Sequence, residues 1–133
     1  MKTKLLFSVL FLITINICLG QTQLEMNESA NKEYKKTDKE LNSVYQAILK
    51  NYKSDTVFIK NLKNAQRIWI QFRDAEMQAK YPEREYGYYG SIHPMCWSIY
   101  LRELTLERIK NLRIWLTGVP EGDSCTSSVK STN

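Results

Sequence analysis

The sequence predicts an all-α fold: a small antiparallel bundle of three main helices, with a tyrosine- and glycine-rich loop before the last one. Apolar residues recur at steps of three and four along three long segments. Capping and breaking residues stand where those segments should begin and end. No stretch carries a strand signal. At 133 residues the chain has room for one domain. It is too short for most cofactor-binding α/β folds and far too short for an α/β barrel.

Residues 1–20, MKTKLLFSVLFLITINICLG, open with two lysines and continue as an apolar run from Leu5 to Ile17. A short uncharged stretch, Cys18-Leu19-Gly20, follows. This is the pattern of a secretory signal peptide, with cleavage expected between Gly20 and Gln21. The apolar run is shorter than the roughly 20 residues a stable membrane span needs. A minority alternative makes Cys18 a lipidated first residue, although Ile17 stands where lipoprotein signals usually place a small residue. The expected product is exported, periplasmic or secreted.

In the first helix, from about Leu24 to Tyr52, the apolar face is Met26, Ala30, Tyr34, Thr37, Leu41, Val44, Ile48 and Tyr52, with Lys and Glu between. Ser54 or Asp55 can cap the second helix. Its stripe is Phe58, Leu62, Ala65, Trp69, Phe72, Glu76 and Ala79, and Pro82 ends it. Ser91 is the expected cap of the third helix, with Pro94 in its first turn. That helix carries Trp97, Leu101, Leu104, Thr105, Arg108, Leu112 and Trp115 on one face and should stop near Gly118, with Pro120 just beyond. Residues 21–118 thus form the helical domain. Residues 119–133, small and polar, read as a mostly disordered tail.

Composition excludes several functions. The formal charge is +5, falling to +3 once Lys2 and Lys4 leave with the leader. Basic and acidic residues alternate along the chain, without the dense basic stripe of a nucleic-acid binder. There is no CxxC, and the single His93 cannot build a His/Cys metal cluster, so no metal and no cofactor are expected. Gly87 and Gly90 do not form a phosphate-cradling motif. His93 has no GxSxG serine to serve and reads as a loop residue. After export, Cys96 and Cys125 remain. In an oxidising compartment they can pair, or stay unjoined given the polar surroundings of Cys125.

Two charges interrupt the apolar stripes. Glu76 is centred in the second and Arg108 in the third. Burying either alone costs several kcal/mol. The simplest solution is that they pair with each other, Asp38 and Arg73 completing a network at the stripe edges. A catalytic reading of Glu76 is the weaker one, because no second acid, metal cluster or nucleophile accompanies it.

The loop at residues 81–92, YPEREYGYYGSI, sets Tyr81, Tyr86, Tyr88 and Tyr89 beside Arg84, Glu83 and Glu85. Tyrosine and arginine provide large contact area at low entropic cost, as recognition surfaces do. Alternatively, the rings fold back to cover the open end of the bundle.

The phrases Glu25-Met26-Asn27, Ala65-Gln66-Arg67-Ile68-Trp69, Phe72-Arg73-Asp74-Ala75-Glu76, Gly90-Ser91-Ile92-His93-Pro94-Met95 and Leu104-Thr105-Leu106-Glu107-Arg108 occur in that order. Together they resemble the exported bacterial family named after the N-terminal domain of the lysozyme inhibitor LprI, from about Glu25 to Leu116. The resemblance implies an exported, mainly helical, non-enzymatic domain, with lysozyme inhibition known for the namesake and no catalytic residues to carry over. Family members commonly have cysteines where Ser29, Met77 and Tyr100 stand here, so a Cys96–Cys125 bridge would be a different solution. The expected partner is a protein: lysozyme or a related wall hydrolase whose cleft the tyrosine loop occludes. The alternative is an interaction module of the envelope with a protein or cell-wall partner.

Overall fold

The computed structural model describes the backbone of residues 2–122 and 124–132, and the side chains of residues 22–122 and 124–131. The expected leader side chains, the cleavage after Gly20 and Cys18 lie outside the residues so described. Three helices make up the architecture: α1 (Lys2–Asn51), α2 (Thr56–Lys80) and α3 (His93–Thr117). Two-residue strands β1 (Val119–Pro120) and β2 (Ser131–Thr132) pair in parallel. The expected all-α bundle is found. Among the described residues no helix is long and apolar enough to cross a membrane.

The stripe predicted for α1 is its buried face: Thr37, Leu41, Val44, Ile48 and Tyr52 are all inside. α1 packs along α3, where Thr105, Ile109 and Leu112 are buried. The core joins Leu41, Val44, Ile48 and Tyr52 of α1, Leu62 of α2, and Ile109 and Leu112 of α3. Each such aliphatic side chain contributes roughly 1.5–3 kcal/mol through burial. The two buried threonines do not leave their hydroxyls stranded. Thr37 donates to the carbonyl of Glu33 at 3.0 Å and Thr105 to that of Leu101 at 2.7 Å.

Asp55 caps α2, its Oδ1 accepting the backbone N–H of Phe58 at 2.9 Å. The helix ends at Lys80, as Pro82 requires, and Tyr81 N–H closes the last turn on the carbonyl of Met77. The predicted stripe of α2 needs correction. Phe72 is 53% exposed, whereas Gln66 and Met77 are buried. The inner face follows Leu62, Gln66, Trp69, Arg73 and Met77, rotated roughly 60° from the apolar count at 100° per residue. Long polar side chains occupy the inner line, and a hydrophobic count cannot see them.

Two expectations at the start of α3 are also corrected. Ser91 does not cap it: Ile92 holds the cap position without a side-chain hydrogen bond, and proline supplies the first turn. His93 is the first residue of α3 and not a loop residue. At the other end Gly118 takes φ +75°, which a side chain would oppose, and donates its N–H to the carbonyl of Ile114 at 2.9 Å.

The polar tail makes specific contacts with the bundle. Lys130 donates its backbone N–H to the Tyr52 hydroxyl (3.2 Å) and its ammonium to the Asn51 carbonyl (3.1 Å), with Nζ 4.6 Å over the Tyr52 ring. Trp115 Nε1–H donates to Ser128 Oγ at 3.2 Å. The tail therefore returns across the end of the bundle where α1 meets α2. Its anchors are aromatic residues on other elements, which tail composition does not reveal.

Candidate functional site

The loop after α2 divides its four tyrosines into two pairs. Tyr81 and Tyr89 face inward. Tyr89 stacks on His93 (centroids 4.6 Å apart, 18° between planes), Tyr81 meets both edge-on, and Trp97 completes the cluster 5.6 Å from Tyr81. The Tyr89 hydroxyl donates to the Pro82 carbonyl at 2.7 Å, tying the two sides of the loop together. Burial pushes the Tyr81 hydroxyl above its usual pKa, with the nearby Cys96 and Glu103 adding to it. His93 Nδ1 is buried without a hydrogen-bond partner.

Tyr86 and Tyr88 face outward. Tyr86 is fully exposed, and Tyr88 is 67% exposed with its ring edge against Tyr89, 4.9 Å between centroids. The Arg84 guanidinium lies 5.8 Å from the Tyr88 ring centroid. Gly87 and Gly90 both adopt positive φ, +82° and +71°, which turns the chain between the outward and inward rings. A concave surface of about 530 Å³ lies along residues 84–91 and reaches His93 and Pro94. The loop is also anchored from α1: Asn27 Nδ2 donates to the Ser91 carbonyl at 3.1 Å. Asn27 and Ser91 stand in two of the quoted sequence phrases, but the bond between them needs the fold.

The expected Glu76–Arg108 pair is not formed. The antiparallel register sets Glu76 beside Tyr100, whose hydroxyl donates to Oε2 at 3.3 Å, and sets Arg108 beside Gln66, whose Oε1 accepts from Nε at 3.0 Å. Ten residues separate Glu76 from Gln66, about 15 Å along α2 at 1.5 Å per residue. Of the predicted network, Arg73 and Asp38 are brought near each other at 3.9 Å, and Arg73 holds its neighbour Asp74 at 2.8 Å. Among the described residues no carboxylate pairs with Arg108. Desolvation lowers its pKa. Desolvation also raises Tyr100, and the charge and hydrogen bond of Glu76 add to the rise.

Cys96 and Cys125 are not joined. Cys96 lies at the start of α3, and the tail carrying Cys125 is held against Trp115 near its end. From Cys96 to Thr117 the helix rises about 32 Å. A disulfide needs its α-carbons within roughly 7 Å. Among the described residues no three His, Cys, Asp or Glu side chains gather to hold a metal ion.

A second concavity, about 450 Å³, lies between the start of α2 and the end of α3. Phe58, Leu62, Leu112 and Trp115 line it with Arg108 and Ser128. Ala65 and Arg108 of its lining stand in the quoted phrases, but the groove is assembled only when α2, α3 and Ser128 of the tail come together.

Comparison with known proteins agrees with this architecture. An uncharacterized protein of Rhizobium meliloti (strain 1021) is 31% identical over 104 residues, covering 69% of this chain and 72% of that protein. No solved structure matches. The profile described as "Lysozyme inhibitor LprI" matches residues 18–112 and so spans α1 from residue 18, all of α2, and α3 up to Leu112. The chain belongs to the lysozyme inhibitor LprI family.

Proposed function

We propose that the chain is an exported, non-enzymatic binding protein that inhibits lysozyme or a related wall hydrolase by placing its 81–92 loop over the enzyme's cleft. One observation carries the reading: Tyr86 stands fully exposed on a loop held by the Tyr89–Pro82 hydrogen bond and by Asn27. An aromatic ring presented on an ordered loop loses little conformational entropy on binding. Tyr86 and Tyr88 would occupy positions where sugar rings stack, and Arg84 would face the acids of the cleft. Tyr81 and Tyr89 serve the loop from inside.

Electrostatics set the kind of affinity involved. A partner of the same sign gains no long-range steering toward a basic lysozyme, so binding would depend on local contacts, Glu83 and Glu85 among them.

A lysis assay with the purified protein tests the proposal. Inhibition that rises with protein concentration and is lost in Tyr86→Ala is the expected result. Undiminished lysis at large molar excess rejects inhibition of the enzyme used, and inhibition unaffected by Tyr86→Ala and Tyr88→Ala removes the loop from the mechanism.

A further inference from the structure

We propose that the groove between the start of α2 and the end of α3 binds a small amphipathic carboxylate, its apolar body against the contacting rings of Phe58 and Trp115 and its anionic head on Arg108. This site is at the opposite end of α3 from the tyrosine loop and does not depend on the inhibitory reading.

The argument starts from two arginines that share one ring. Arg73 and Arg108 lie 5.5 Å and 5.8 Å from the Trp69 ring centroid. Arg73 is supplied with acids by the chain itself, Asp74 and Asp38. Among the described residues, half-buried Arg108 receives only the neutral Gln66 oxygen on Nε. A guanidinium is always charged and presents five donors in a planar fork, so one neutral acceptor leaves most of that capacity unused. A carboxylate matches the fork in charge and geometry.

The groove that Arg108 lines has the other half of the required chemistry. Its volume, about 450 Å³, falls within the usual range for small-molecule sites, and its apolar lining includes the core residues Leu62 and Leu112. Ser128 closes one side and is held there by the Trp115 indole. The one described acid on the lining, Asp55, is committed to the Phe58 N–H. It also stands eleven residues before Gln66, about 16 Å along the helix. Positive charge at one end of an apolar slot selects a ligand with an apolar body and a single anionic end. A larger polyanion would meet Asp55, and an uncharged lipid tail would leave Arg108 unanswered.

The test uses the whole protein and octanoate, followed through the Trp115 indole resonance. Acetate supplies the charge without the body, and octan-1-ol the body without the charge. Saturable octanoate binding is expected, with both controls at least about tenfold weaker, a difference of about 1.4 kcal/mol. Arg108→Gln should weaken octanoate about tenfold. Ala65→Phe fills the groove from an exposed position of α2 and should abolish binding while leaving the fold intact. No saturable binding by the folded protein overturns the proposal. So does octan-1-ol binding as tightly as octanoate, or binding that Ala65→Phe leaves unchanged.

Discussion

Tyr89 is held from two sides at once: its ring lies on His93 at 4.6 Å and its hydroxyl reaches the Pro82 carbonyl at 2.7 Å. One residue therefore fixes the end of the loop to the start of α3 and the beginning of the loop to its own end. Tyr86, three positions earlier, makes no comparable attachment and stands in solvent. Replacing Tyr89 by Phe keeps the stack and removes the hydrogen bond. The expected loss is about 1 kcal/mol of stability, read by denaturant titration, with faster amide exchange in residues 83–90. Tyr86→Ala should shift stability by less than about 0.5 kcal/mol, so that any lost inhibition reports on contact alone.

Glu76 and Arg108 provide the second test. They occupy different levels of the bundle, so Glu76→Ala should cost less than about 1 kcal/mol and add independently to changes at Arg108. Gln66→Leu is the damaging change, because it strands the Arg108 guanidinium in a half-buried place. About 1–3 kcal/mol is expected, measured by thermal or chemical unfolding. Non-additivity between Glu76→Ala and Arg108→Gln would show that the two groups meet after all.

Alkali should destabilise the fold. Desolvation holds Tyr34, Tyr81 and Tyr100 above the ordinary value of 10.0. Unfolded tyrosines ionise near that pH while these three keep their protons. The folded state is thus favoured in full below pH 10 and loses that advantage as the pH climbs through the raised values. Urea titrations at about pH 9 and about pH 11 should show the fall. Tyr100→Phe, which removes the hydroxyl bonded to Glu76, should make it shallower.

The thiols give a covalent check. Intact mass should show no Cys96–Cys125 bridge, and a reductant should leave the melting temperature unchanged. A mass lower by two hydrogens, together with a melting temperature that drops on reduction, would show a bridge and a different arrangement of the tail.

Removing residues 119–133 tests the returned tail. The cut deletes the Lys130 contacts to Tyr52 and Asn51 and the Ser128 acceptor of Trp115. A lower melting temperature is expected, with a red-shifted Trp115 emission as the indole meets water. An unchanged melting temperature would show that the tail adds nothing to the fold.

The sequence made the bundle legible where burial is apolar and local. The α1 stripe from Thr37 to Tyr52, the Asp55 cap, the Pro82 stop and the Gly118 exit each follow from chemistry within a few residues. It failed where a polar residue finds its partner on another helix. Gln66 is buried because Arg108 comes to it across the α2–α3 register, and no spacing rule within α2 reports that register. The same limit separated the tyrosines: composition identified all four, but only the positions of His93 and Trp97 decide which rings turn inward. The Arg108 groove was least visible, since its lining is assembled from α2, α3 and Ser128 of the tail.

The placing of Cys96 and Cys125 has a practical use. Dyes carried by Cys96 and Cys125 would mark opposite ends of α3, a separation on the order of 30 Å set by the rise of a helix. Attachment to a surface through the tail would leave the 81–92 loop at the far end of α3, facing solution.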